Sequence, residues 1–114
     1  MIQIKRVCGP HILMPSRHHD HDAGYDLRAT TQTKIYPLES ALISTGFIWQ
    51  IPPNYCGMVK SRSGLATRMG IHAFHGVIDS GYRGELRVYL QNFSENIFVV
   101  EENTRIAQLV IVSI

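Results

Sequence analysis

No segment of this chain holds a 3.6-residue apolar period for long, whereas short runs with a period of two recur from end to end. That constrains the fold more than any other feature, because strands this short are stable only when they share sheets. The runs are Met1 to Val7, Tyr25 to Ala29, Thr33 to Tyr36, Ala41 to Ser44, Phe47 to Gln50, Gly57 to Lys60, Gly70 to Phe74, Leu86 to Asn92, Ile97 to Val100 and Ala107 to Ile114. Turn residues punctuate them at Pro37, Gly46, Pro52-Pro53-Asn54, Gly81 and Glu102-Asn103. Gly9 to Asp22, with Pro10 and Pro15, reads as loop. One short helical turn is expected at Gly64 to Met69, capped by Ser63. The pattern predicts an all-β sandwich or jelly roll. A chain of 114 residues makes one domain, small enough to gain from oligomerisation.

Composition narrows the function classes. A net charge of +2 is too small an excess for a nucleic acid polymer as partner, although clustered arginines can still serve a phosphate. No apolar run reaches the ~18 residues of a membrane span, and the N-terminus lacks the apolar stretch of a signal peptide. A cytoplasmic location is therefore expected. Cys8 and Cys56 form no C-x-x-C pair and are expected as buried or half-buried free thiols. Arg17-His18-His19-Asp20-His21-Asp22 matches no zinc spacing and reads as a solvated loop. Trp49 is expected on a core or interface.

Four segments carry residues suited to chemistry. In AGYDLRA, Ala23 to Ala29, Asp26 stands opposite the apolar Tyr25, Leu27 and Ala29, and aspartate is disfavoured inside strands. In SRSGLA, Ser61 to Ala66, a strand runs into Arg62, Ser63 and Gly64 before a helical turn, which aims backbone N–H groups at an anion. GVIDSGYRGEL, Gly76 to Leu86, reads as a tight hairpin with Asp79 and Tyr82 at its mouth. Gly76, Gly81 and Gly84 are expected at positive φ or at a close backbone approach. Beyond it Leu86, Val88 and Leu90 alternate with polar residues, as in a half-buried strand. EENTRIAQLVI, Glu101 to Ile111, sets Arg105 and Gln108 on a strand after a turn. Each segment also has a plain structural reading: a strand start, a helix cap at Ser63, a turn capped by Asp79 with Tyr82 over the core edge, and an edge or interface strand.

In this order the segments resemble motifs one to four of the trimeric dUTP diphosphatase (dUTPase) family. The resemblance spans residues 23 to 111 and implies a distorted dUTPase-like jelly roll with one short helix, assembled as a homotrimer. It implies Mg²⁺-dependent hydrolysis of dUTP to dUMP and pyrophosphate. Asp79 would orient and activate the water, as a carboxylate within hydrogen-bond reach can. By the same resemblance Ser63, Gly64 and Gln108 contact phosphates, and Arg62 supports that loop and contacts the substrate region. Arg105 takes a structural role. Asp26 holds the water shell of the metal, a role that suits Mg²⁺. Ile78 belongs to the hairpin whose main-chain groups read uracil, and Tyr82 lies beneath the deoxyribose, leaving no room for a 2′-hydroxyl. The family's sites are shared between subunits, and Leu109, Val110, Ile111 and Ile114 are expected at the interface.

The chain departs from the family pattern in places. Ser61 replaces a usual proline, and Ala73 falls where an asparagine helps to read the base, leaving His72 or His75 as substitutes. No segment resembles the fifth motif, so residues 1–114 read as a single domain lacking the family's C-terminal arm, with weak dUTP affinity and slow turnover expected. The related dCTP deaminases carry a catalytic glutamate where this chain has Tyr89, which sets deamination aside. The alternative function is a non-catalytic nucleotide-binding or protein-interaction module on the same scaffold.

Overall fold

The computed structural model describes residues 2–114. The alternating runs form short strands paired antiparallel throughout: β1 (Gln3–Arg6), β2 (Gly24–Arg28), β3 (Thr33–Ile35), β4 (Ser40–Ser44), β5 (Phe47–Gln50), β6 (Tyr55–Ser61), β7 (Ile71–Ala73), β8 (Gly76–Ile78), β9 (Arg87–Asn92), β10 (Phe98–Val100) and β11 (Arg105–Ser113). One sheet has the order β2-β11-β6-β8, a second β4-β9-β7, and β1-β5 and β10-β3 form two-stranded ribbons. Alternation puts Leu27, Ala107, Leu109 and Val59 of the first sheet and Ile43, Val88, Leu90 and Ile71 of the second into one buried cluster with Phe47 and Trp49. Each fully buried side chain of this kind contributes ~1.5–3 kcal/mol of transfer free energy. The all-β jelly-roll expectation stands.

Several local expectations also hold. Gly46, Asn54 and Asn103 adopt positive φ at their turns, and glycine and asparagine enter that region at least cost. Leu86, Val88 and Leu90 point inward while Arg87 and Tyr89 are exposed. Cys56 is buried and Cys8 half-buried, both as free thiols. Trp49 is a core residue, set edge-on to Tyr25 with ring centroids 5.3 Å apart. The expectation at Met1 lies outside the described residues.

Other expectations need correction. Gly76 to Leu86 is not a closed hairpin: β8 pairs with β6, while β9 pairs with β4 and β7. The segment crosses from one sheet to the other, and neither Gly76, Gly81 nor Gly84 has positive φ. Only Gly84 meets the close-approach requirement, because a Cβ there would sit 2.5 Å from the Tyr82 hydroxyl. The helical turn is a π-turn, Leu65–Met69, closed by Gly70 in the left-handed region. Ser63 does not cap it; no side chain does. Leu109 is not an interface residue, since β11 lies between β2 and β6 and buries that side chain completely. Val110 and Ile111 are half-buried and Ile114 is 81% exposed, so these remain accessible.

Candidate active site

Three of the four segments converge because β11 pairs on both sides. Gln108 lies opposite Asp26 of β2 and Lys60 of β6, one residue before the Ser61 end of that strand. The result is a cleft of about 340 Å³ whose wall includes Gly24, Asp26, Arg62, Ser63, Gly64, Arg105 and Gln108. Gln108 donates an amide N–H to the Ser61 carbonyl at 3.1 Å, which ties β11 to the turn that follows β6. Gly24 allows this: a Cβ at that position would collide with the Gln108 amide oxygen. Asp26 is half-buried, with a carboxylate oxygen 3.6 Å from an Arg105 guanidinium nitrogen. That ion pair gives Arg105 a part in shaping the cleft.

The Arg62–Gly64 turn spends two carbonyls on the helical turn and keeps its side-chain polar groups free. The Ser63 carbonyl accepts the Thr67 hydroxyl at 2.7 Å and the Arg62 carbonyl accepts the Ala66 N–H at 3.0 Å. Among the described residues the Ser63 hydroxyl and the Arg62 guanidinium have no hydrogen-bond or ion-pair partner, so both stay available to a ligand in the cleft. Two guanidinium groups, a hydroxyl and an amide on one wall suit a phosphate chain.

Ile78, Asp79 and Tyr82 lie elsewhere. They line a second cleft, also about 340 Å³, with Leu42, Val77, Glu85, Leu86 and Arg87. The Tyr82 N–H donates to the Asp79 carbonyl at 3.1 Å, closing a β-turn, and the Tyr82 hydroxyl donates to the Glu85 carbonyl at 3.1 Å. Glu85 anchors the far end of the loop: its carboxylate accepts the Gly46 N–H at 2.8 Å and the Ser44 hydroxyl. Asp79 is exposed and accepts no hydrogen bond on its carboxylate from a described residue. Within one chain, therefore, the candidate water-orienting carboxylate lines a different cleft from that of Arg62 and Gln108.

The two departures from the motif pattern touch one another. The Ser61 hydroxyl accepts the Ala73 N–H at 2.9 Å and lies 3.3 Å from the Ala73 carbonyl. A proline there has no such group. His72, on the opposite face of β7, packs edge-on against Phe93 at 5.2 Å, and His75 is exposed; neither lines either cleft. The sequence reading missed His18 and Asp22, which line the first cleft although their loop reads as solvated. No spacing rule signals them, because the backbone bond from the Asp26 N–H to the Ser16 carbonyl, 2.8 Å, is what folds that loop onto the cleft. Glu85 was missed too. Among the described residues, no group of three or more His, Cys, Asp or Glu side chains could hold a metal, and no helix is long and apolar enough to cross a membrane.

The chain as a whole is similar to known proteins. Residues 11–114 match the family model described as dUTPase. The deoxyuridine 5'-triphosphate nucleotidohydrolase of Clostridium kluyveri is 41% identical over 110 residues, covering 95% of this chain and 76% of the relative. That of Aquifex aeolicus is 44% identical over 118 residues, covering 97% and 77%. Among solved structures, the dUTPase of Staphylococcus bacteriophage 80alpha superposes with a TM-score of 0.91 at 30% identity, covering 100% of this chain and 90% of the other. A variant of the dUTPase from phage phi11 of S. aureus, described as coordinating a structural Mg(II) ion, superposes at 0.90 with 29% identity and coverage of 100% and 91%. With its family model matched along nearly its whole length and its motif residues gathered on two clefts, the chain belongs to the dUTPase family.

Proposed function

We propose that this protein is a dUTP diphosphatase, hydrolysing dUTP to dUMP and pyrophosphate. The observation that carries the reading is the convergence of Asp26, Arg62, Ser63, Gly64 and Gln108, from three distant segments, on one anion-suited cleft. In this reading Arg62, Ser63, Gly64 and Gln108 bind and orient the triphosphate, and Ile78, Asp79 and Tyr82 receive the nucleoside. Asp79 orients a water and takes its proton as the oxygen attacks the α-phosphorus. The bond from that phosphorus to the oxygen bridging to the β-phosphate breaks, and pyrophosphate leaves with the electron pair. Most of the acceleration then comes from positioning and from charge placed in advance. The names of the relatives favour catalysis over a non-catalytic role on the same scaffold.

Mg²⁺ suits the donor set. Asp26 offers a hard carboxylate oxygen beside hydroxyl and amide groups, and an ion that keeps several waters and binds chiefly through phosphates needs no cage of protein ligands. Asp26 would hold it through water. When bound, the ion neutralises charge on the phosphate chain. Residues 1–114 act as one domain in this reading, and a homotrimer is its natural assembly: separate clefts within a chain can meet across a subunit boundary.

The test is release of pyrophosphate from dUTP with Mg²⁺, using Asp79→Asn as the comparison. The variant keeps its shape and loses the base, so turnover should fall ~10²-fold or more while dUTP still binds. Parent-like turnover by the variant would remove Asp79 from its role, and no pyrophosphate from the parent protein would remove the activity itself.

A further inference from the structure

Arg17 to Asp22 stands outside every segment used above, yet it is built onto the anion-suited cleft. The Asp26 N–H donates to the Ser16 carbonyl at 2.8 Å, and the Arg17 guanidinium lies 5.4 Å from the centre of the Tyr25 ring. The Asp22 N–H donates to the His19 carbonyl at 3.0 Å, and the Asp22 carboxylate accepts the His19 N–H at 2.9 Å. The first two contacts pin the start of the loop to β2, and the last two close its far end into a turn. Between them His18 lines the cleft, while His19, whose ring packs edge-on against the His18 ring at 4.2 Å between centroids, does not.

The charges on the cleft wall show what His18 can add. Arg62 and Arg105 are offset in formal charge by Asp22 and Asp26, so the four groups sum to zero and net charge adds no attraction for a polyanion beyond the unpaired Arg62. Binding must draw on bound cations and on donors. Gln108 has already committed one N–H to Ser61. The His18 ring makes no hydrogen bond or ion pair with any described residue, and imidazole carries a free N–H whether neutral or protonated.

We propose that His18 is a further ligand of the phosphate chain, donating a ring N–H to a phosphate oxygen, and that the Arg17–Asp22 loop is the outer wall of the polyphosphate site. The nucleotide identity rests on the function proposed above; the anion chemistry is tested without it. The probe is inorganic triphosphate with Mg²⁺, measured by calorimetry on the full chain and as a competitive inhibitor of dUTP turnover. His18→Ala should weaken triphosphate about tenfold, the worth of one hydrogen bond to a charged group at an open site, and raise KM for dUTP to match. His18→Gln, which keeps an N–H, should recover much of the loss. His21→Ala, an exposed residue of the same loop that lines neither cleft, should bind like the parent. Unchanged triphosphate affinity in His18→Ala, or an equal loss in His21→Ala, overturns the proposal even if dUTP is hydrolysed. Triphosphate binding that depends on His18 in a chain that leaves dUTP intact would uphold the proposal and refute the function.

Discussion

A single methyl group at position 84 tests whether Tyr82 is held where the proposed chemistry needs it. Gly84 does not have positive φ, so the backbone accepts alanine. The obstacle is the tyrosine: a Cβ would lie 2.5 Å from its hydroxyl oxygen and 2.7 Å from Cζ. Ordinary contacts begin near ~3.5 Å, so the ring must retreat by about 1 Å. Tyr82 is 45% exposed and has room to swing. It gives up its hydrogen bond to the Glu85 carbonyl, worth ~0.5–1.5 kcal/mol net. Replacing glycine stabilises by ~0.4–1 kcal/mol through the unfolded chain. These nearly cancel, so the thermal midpoint of Gly84→Ala should stay within about 3 °C of the parent. The functional effect should be larger. If the ring fills the space a 2′-hydroxyl would need, moving it by that distance should lower the dUTP-to-UTP ratio of kcat/KM about tenfold. The assay is that ratio, measured in the parent and in Tyr82→Ala, each with and without Gly84→Ala. The reasoning requires the alanine to act through the tyrosine, so its effect should vanish in the Tyr82→Ala background. An equal drop in both backgrounds would refute it, as would an unchanged ratio in the parent.

Further expectations concern the scaffold. Glu85→Ala strands the buried Gly46 N–H and frees the Ser44 hydroxyl, and should cost about 2–4 kcal/mol in urea unfolding; Glu85→Gln keeps an acceptor and should cost about 1 kcal/mol. A loss under about 0.5 kcal/mol for the alanine variant would show that this anchor is idle. Ser61→Ala removes the partner of the Ala73 N–H and should cost about 1–3 kcal/mol, read as a shift of the urea midpoint at constant slope. Sedimentation at micromolar concentration should find a trimer, and a monomer would remove the shared-site reading together with an interface at Val110, Ile111 and Ile114.

Much of this protein is legible locally. Side-chain alternation along Leu86 to Gln91 reveals the buried face because successive residues of any strand point to opposite sides. Gly46, Asn54 and Asn103 mark their turns because positive φ is a property of one residue and its side chain. Arg62, Ser63, Asp26 and Gln108 are recognisable in the sequence as residues able to meet a phosphate. Their meeting is not, since β11 brings them together only by pairing with β2 and β6 at once. The same limit explains the errors. GVIDSGYRGEL has the turn chemistry of a hairpin, but backbone donors and acceptors are alike in every strand, so the partner of β8 was decided by packing across the whole core. Burial of Leu109 follows from neighbours far away in the chain, as does the seat of His18 on the cleft. The sequence by itself determined strand faces, turns and the kinds of chemistry available. Tertiary structure alone decided which strands are neighbours and which polar groups share a cavity, because contacts between distant segments depend on the packing of all the others.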